Sequence, residues 1–333
     1  MLIFSCMSRF SNLFFFILLS FSFFSCKKET AELWKTEIKS PSEKVIVEDI
    51  SKEFYNENIS LETFKTKYPW FQGTVSNEDF LKRKNDTAEI KIYKDAVAKI
   101  NYNQLTNELS QLFTRVKHYY PNFKTPKVFL FSSALQMAQD PVFLQPVDNY
   151  FFIDISGFMG KGNPHYKGLD LYIQESMNPE NIVPKVSEVI TENLVPYGDD
   201  HQKFIDLMVY YGKLMTLQDA FLPNTADHLK MNYSAKQYEW AKSYEEHIWN
   251  FFVENNMVFS DDPQLARRFV EPGPFSKFYT QIDNESSPQI GIFIGWQICR
   301  AFYEKHPDTK LEDFMKMNAT EIFNESGYKP TNQ

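Results

Sequence analysis

Apolar residues recur at a 3.6-residue spacing wherever this chain is strongly patterned, and that spacing restricts it to mostly helical folds. Leu105, Leu109, Leu112, Phe113 and Val116 form one stripe between Asn103 and Tyr119, which stops before Pro121. Ile182, Val183, Val186, Val189 and Ile190 form a second, giving a helix from Ile182 to Leu194. Phe204, Leu207, Met208, Tyr211 and Met215 predict a helix from Phe204 to Leu217, and Ile290, Ile294, Ile298, Ala301 and Phe302 one from Ile290 to Tyr303. Ser234 with Gln237 reads as a capping box opening a helix that reaches Phe252, and Thr309 with Glu312 as another. Asp262-Pro263 reads as a cap followed by proline at the first helical position. Strand patterns are fewer. Val45 to Ile50 fits a short strand, and Lys127 to Ser132 and Tyr150 to Ser156 fit two more, with Pro141 and Pro146 in a loop between them. The expected fold class is therefore α+β, mainly α, with a small central sheet.

Composition narrows the partners. Forty-three acidic against 35 basic residues leave a formal charge of −8, so no basic excess exists to neutralise the phosphates of a nucleic acid or anionic headgroups. Eleven glycines in 333 residues argue against a β-propeller or a porin-like barrel. The aromatic residues are scattered, which fits core packing better than a sugar-binding platform. No internal repeat, low-complexity block or glycine-rich phosphate loop is present.

The N-terminus gives an address. From Phe10 to Phe24 the chain is almost wholly apolar, after the single charge of Arg9, and small Ser25 precedes Cys26. Runs of about 7–15 apolar residues fit the core of a secretory leader. Phe23-Phe24-Ser25-Cys26 is a loose lipobox, and Met7-Ser8-Arg9 reads as a charged n-region if translation starts at Met7. Two alternatives remain. A retained membrane-spanning helix needs roughly 20 apolar residues, and an ordinary secreted protein leaves the position of Cys26 unexplained. The expected organisation is a leader over residues 1–25, a lipidated flexible tether over 26–44 with the lipid on Cys26, and a single globular domain over 45–333. Each buried methylene of a lipid contributes about 0.8 kcal/mol, so the several chains of a bacterial lipoprotein anchor it permanently. Cys299 is then the one other cysteine beyond the leader, set in an apolar stripe, and reads as a buried thiol without a disulfide partner.

Residues able to do chemistry are sparse. A helical zinc site places two histidines at i and i+4 with a glutamate beside the first. The histidines here (His118, His165, His201, His228, His247 and His306) lie far apart, and none has a His, Asp or Glu three or four positions away. No G-x-S-x-G nucleophile elbow is present. Glu188 and Glu192 share a helix face, as an acid/base pair, as oxygen ligands for a cation, or as part of a polar face.

Several runs together resemble a known family. They are Tyr166 to Ile173, Ile182-Val183-Pro184, Thr191 to Pro196, His201 to Phe204, Tyr211-Gly212-Lys213 and Leu217 to Pro223. Ile290-Gly291, Gly295 to Ile298, Glu321-Ile322-Phe323 and Tyr328-Lys329-Pro330 complete the set. In these the chain resembles the gliding-motility lipoprotein family GldB of the Bacteroidota, across nearly its whole length after the leader. That family looks like a remote relative of gluzincin-type zinc peptidases, whose H-E-x-x-H is followed about twenty residues later by an E-G pair. The resemblance thus implies a zincin-like, metallopeptidase-like domain. It lays the first motif on Thr191, Glu192 and Val195 and the second on Tyr211 and Gly212, so that only Glu192 and Gly212 survive. Thr and Val offer zinc no imidazole, and phenolic Tyr is a rare ligand.

The resemblance therefore implies a pseudoenzyme with no catalytic residue, no metal and no cofactor beyond the covalent lipid. It would be an interaction or assembly factor for the gliding and type IX secretion machinery of the cell envelope. Its partners would be other envelope proteins of that machinery and the membrane, through the anchor. Lys27-Lys28-Glu29-Thr30 is a partial match to a surface-export signal, so the periplasmic face of the outer membrane is favoured over the cell surface. Glu192 is expected to be structural, with Lys213 and Arg300 as counter-charges. A divergent envelope hydrolase and a sugar-binding nutrient lipoprotein are the alternatives. The anchor is testable directly: Cys26→Ala should abolish labelling by radioactive palmitate and release the protein from membranes, and unchanged labelling would refute it.

Overall fold

The computed structural model describes residues 33–35, 37–38, 43–72, 75–198, 202–281 and 283–331. The leader, Cys26, Lys27 to Thr30 and His201 lie outside the described residues. Helix accounts for 56% of the described residues and strand for 6%, which makes the fold α+β and mainly helical.

Four strands form one sheet in the order β1 (Val47–Asp49), β2 (Lys127–Phe131), β4 (Tyr150–Asp154), β3 (Val142–Gln145). β1, β2 and β4 run parallel, and β3 is antiparallel to β4, pairing Val142 with Ile153 and Gln145 with Tyr150. Side chains alternate across the pleat. Val128, Leu130, Phe151 and Ile153 enter the main core, while Phe129 and Phe152 enter a second cluster with Phe54, Phe64, Tyr68 and Phe80. That second face is covered by α1 (Ile50–Phe54), α2 (Leu61–Lys67) and α3 (Asn77–Lys84). Because both faces are buried, β2 and β4 read as continuous apolar runs and not as alternating ones.

The run between Pro141 and Pro146, expected as a loop, is the strand β3. The prolines fall just outside it, and an edge strand tolerates such neighbours because its outer side needs no donors.

The remaining helices build the main core that the first face joins. They are α4 (Thr87–Val97), α5 (Tyr102–Tyr119), α6 (Leu171–Gln174), α7 (Ile182–Leu194), α8 (Phe204–Phe221) and α9 (Asp227–Lys230). After them come α10 (Ala235–Ser243), α11 (Glu245–Glu254), α12 (Gln264–Phe269), α13 (Ile290–Lys305), α14 (Leu311–Lys316) and α15 (Ala319–Ser326). α7 matches its apolar stripe end to end. α8 runs four residues beyond the expected Leu217, because its last turns bury the polar side chains Gln218 and Asp219, which interrupt the stripe. The helix expected from Ser234 to Phe252 breaks at Tyr244 (φ −107°, ψ 9°), although the Ser234–Gln237 capping box forms. The Thr309–Glu312 box does not form. Thr309 N–H donates to the His306 carbonyl, and the Glu312 carboxylate is held by Lys316 instead.

Two residues in the segment expected to be a tether are fastened to the body. Trp34 is 6% exposed and packs edge-on against Tyr119 and Tyr303. Its carbonyl accepts a hydrogen bond from Arg115, whose Nε donates to the Ala220 carbonyl at the end of α8. Glu43 takes bonds from Lys117 and Thr125, and its N–H donates to Thr114.

The closest approach in the core is between α8 and α13. A Cβ on Gly295 would overlap the Met208 carbonyl, and one on Gly212 would overlap the Gly295 carbonyl. The two backbones therefore touch, and only glycine fits at either position. Gly295→Ala should destabilise the protein by about 3 kcal/mol, since α8 and α13 must part to admit one methyl group. Gly273→Ala, whose new methyl meets nothing closer than 3.9 Å, should change little in the same urea titration.

Candidate functional site

The five positions laid on the peptidase motif lie at the C-terminal end of α7 and on the facing turn of α8. Thr191 is fully buried, and its hydroxyl donates to the Glu188 carbonyl of its own helix at 2.8 Å. Val195 is the residue after the last helical turn (φ −126°, ψ 81°), its N–H bonded to the Thr191 carbonyl. α7 thus ends between the two positions where a zinc helix needs ligands on one face. Tyr211 is half-buried and lies edge-on to Tyr210, whose ring meets that of exposed Tyr197. It is Tyr210, not Tyr211, whose hydroxyl bonds the Val195 carbonyl at 3.0 Å and ties α8 to the end of α7. Gly212 is accounted for by the helix contact with Gly295.

Glu192 is exposed, and among the described residues it takes no hydrogen bond or ion pair. Partial desolvation and the neighbouring Glu188 carboxylate hold its carboxyl above the ordinary range, with Lys185 opposing and Asp140 reinforcing the shift. Glu188 is itself occupied, accepting from Asn232 at 3.0 Å and lying 3.8 Å from Lys185. The counter-charges expected for Glu192 are elsewhere. Lys213 donates to the carbonyls of Met315 and Met317 at the end of α14, and Arg300 faces Asp219 and Asp227. The expectation of a structural network around Glu192 is corrected accordingly: long cationic side chains on α8 and α13 reach acceptors on their own side of the helix pair first.

No group of three His, Cys, Asp or Glu residues able to hold a metal ion is present among the described residues. His165 bonds Asp95 at 2.7 Å, and His306 stacks on Phe302 and lies 3.6 Å from Glu325, far along the chain from α7. Cys299 is buried, and desolvation pushes its thiol up to about 12, so it is inert as a nucleophile at neutral pH.

What the residue patterns did not reveal is an ionic network inside the helical layer. Asp219 is 2% exposed, and its carboxylate accepts four bonds. Arg300 gives two, from Nε and Nη2 at 2.9 Å each; Lys230 gives one at 2.7 Å and the Trp296 indole one at 2.8 Å. Asp227 takes Arg300 Nη1 and the Tyr238 hydroxyl, each at 2.8 Å, and Lys230 at 3.1 Å. The Arg300 guanidinium sits 3.7 Å over the Trp296 ring. Two carboxylates match two cations, so the cluster is neutral. Burial pushes the Asp227 carboxyl up, but Arg300 and Lys230 outweigh it and hold the group far below the usual carboxylate range. Both acids raise Arg300 well above its ordinary value against burial. The available signal was an aspartate and an arginine inside otherwise apolar helices. Their pairing was not readable, because 81 positions separate them.

Residues 31–330 match the family model of the gliding motility protein GldB. The chain belongs to the GldB family. Membership implies a role in gliding motility, and as a family of lipoproteins it suggests association with the cell envelope. No helix among the described residues is long and apolar enough to cross a membrane. No curated protein and no solved structure matches the chain. The runs that carry the GldB resemblance meet in the helical layer just described. Tyr211-Gly212-Lys213 and Gly295-Trp296 flank the α8–α13 contact, and Leu217 to Pro223 contributes Asp219.

Asp219→Asn keeps the shape but leaves two buried cations facing one carboxylate, and should cost about 3–5 kcal/mol. Asp227→Asn should cost less, because its side chain is 24% exposed against 2% for Asp219. The folded Asp227 titrates below its unfolded value, so its contribution is present above about pH 4 and is lost as pH falls toward the folded value. Urea midpoints of the parent and both variants at pH 7 and pH 2 test this, with the gap between parent and Asp227→Asn narrowing at pH 2.

Proposed function

We propose that this GldB-family chain is a lipid-anchored, non-catalytic factor of the gliding machinery. It would hold or position other envelope proteins of the motility and type IX secretion apparatus from the periplasmic face of the outer membrane. The observation that supports a loss of catalysis is the end of α7 between Thr191 and Val195. There a threonine hydroxyl already spent on its own helix and a valine beyond the last turn stand where a peptidase would present two imidazoles. That α7 and α8, the two helices bearing the motif-like positions, pack together at this end agrees with a peptidase-like scaffold that has lost its metal. A divergent hydrolase is the second reading, favoured by the solvent-reachable Glu192 with its raised carboxyl beside three tyrosines.

Glu192→Gln separates the two. As a residue without a partner, Glu192 leaves no group stranded when it is changed. Its raised carboxyl means that the charge opposes folding above the unfolded carboxylate range, so neutralising it should not lower the melting temperature at pH 7. The variant should reach normal abundance and spread normally. The purified parent should melt unchanged with chelator and should not cleave an unfolded protein substrate when zinc is supplied. A Glu192→Gln strain with normal abundance and no motility, or zinc-dependent cleavage that the variant lacks, would overturn the proposal.

A further inference from the structure

Three helices finish at one end of the helical layer, and the N-terminal segment is clasped there. α5 stops at Tyr119, α8 at Phe221 and α13 at Lys305, with α14 following directly. Tyr119 and Tyr120 pack their rings against Phe221, and Tyr303 packs on Phe314 of α14. Trp34 meets both Tyr119 and Tyr303 edge-on, and Leu33 lies against the same core. Arg115 Nη2 donates to the Trp34 carbonyl at 2.6 Å and Nε to the Ala220 carbonyl at 2.7 Å, so one guanidinium on α5 joins the segment to the end of α8. Trp34 is the first buried side chain after Cys26 among the described residues. The next firm tie is Glu43, whose N–H and carbonyl are bonded to Thr114 and Ser110 of the same helix.

Covalent connection turns this clasp into a limit on orientation. Trp34 is eight residues beyond Cys26, and a chain spans at most about 3.5 Å per residue, so the clasp lies within about 28 Å of a lipid on Cys26 whatever path the chain takes. A body of about 300 residues has a radius of gyration of about 19 Å and is roughly 50 Å across. The end that carries Trp34 therefore cannot be the end that points away from the bilayer. Were Glu43 the first tie, the seventeen residues from Cys26 would reach about 60 Å, more than the width of the body, and every orientation would be open. Charge does not make the choice. Exposed Lys124 and Lys310 are accompanied by exposed Asp308 and Asp313, which leaves no cationic excess for anionic headgroups.

We infer that the end of the body formed by the C-termini of α5, α8 and α13 is its membrane-facing surface, and that the Trp34 clasp sets this orientation. The partner is the bilayer to which the chain is attached, and the recognition is by tether length and not by headgroup chemistry. The opposite end, where α8 and α13 begin, is then presented away from the membrane. This rests on the reading of Cys26 as the lipidated residue and adds to it which face the lipid holds down.

The test uses the full-length lipidated protein in phosphatidylcholine nanodiscs carrying an acceptor dye on a fraction of the headgroups. A donor dye is placed by Asn122→Cys, an exposed position two residues past Tyr120, or by Asp261→Cys, exposed beside Ser260, whose carbonyl accepts the Phe204 N–H at the start of α8. Cys299 is buried and leaves the new thiol as the one that reacts. The 18 residues of α8 separate the two ends by about 26 Å. Energy transfer to the headgroups should be at least twofold greater from position 122 than from position 261. In Trp34→Ala the ratio should fall toward one. Ten Gly/Ser residues inserted after Thr30 lengthen the tether without touching the clasp, and should lower the ratio in the same way even if Trp34→Ala folds poorly. Equal transfer from the two positions in the parent, or a ratio that the insertion leaves unchanged, would overturn the inference. Palmitate labelling reads the anchor separately. A labelled parent with equal transfer keeps the lipid on Cys26 and removes the orientation, whereas an unlabelled parent removes the anchor and the orientation with it.

Discussion

The backbone contact of α8 with α13 is the constraint on which the helical layer depends. Two glycines, Gly212 and Gly295, bring the helices so close that the carbonyls of Met208 and Gly295 occupy the space a side chain would need. At that separation a charged residue further along α8 cannot escape to solvent, and Asp219 is enclosed. Burying a lone carboxylate costs several kcal/mol, so the fold surrounds it with Arg300, Lys230 and the Trp296 indole, all at hydrogen-bond distance. Asp227 completes the neutralisation and, through Tyr238, ties α9 and α10 to the same point. A buried ion cluster is weak evidence for net stability, but it is strong evidence for a single arrangement, because every alternative packing strands a charge.

This arrangement also accounts for residues that the sequence comparison laid on a peptidase motif. Gly212 is needed where α8 meets α13, and no metal is required to explain it. Lys213 caps α14, and Arg300 serves Asp219. What remains at the end of α7 is Glu192, exposed among tyrosines and other acids. The residue types that could have described an active site are thus shared between packing and a solvent-facing acidic patch.

The N-terminal segment shows a similar redistribution. Trp34 and Glu43 are held on the body, and Arg115 joins the former to the end of α8. If Cys26 is lipidated, the eight residues from it to Trp34 reach at most about 28 Å when fully extended. A docked Trp34 would therefore keep the body close to the bilayer, whereas a segment free as far as residue 44 would roughly double that reach.

The sequence by itself determined the helices, most of the sheet and the family. α5, α7 and α13 follow from apolar spacing, and β2 and β4 from short apolar runs, because those patterns record which face is buried at a distance of a few residues. It also excluded a local histidine pair, since that too is a short-range pattern. Local reading missed β3, whose flanking prolines resemble those of a loop, and it missed the break at Tyr244. Only the tertiary structure decided that Arg300 pairs with Asp219 and not with Glu192, and that Trp34 is core. Each of these joins residues far apart in the chain, 81 positions for Arg300 with Asp219 and for Arg115 with Trp34, and more for Trp34 with Tyr303. A side chain's charge is written in the sequence, but which opposite charge it meets depends on how closely two helices can approach, and here two glycines set that distance.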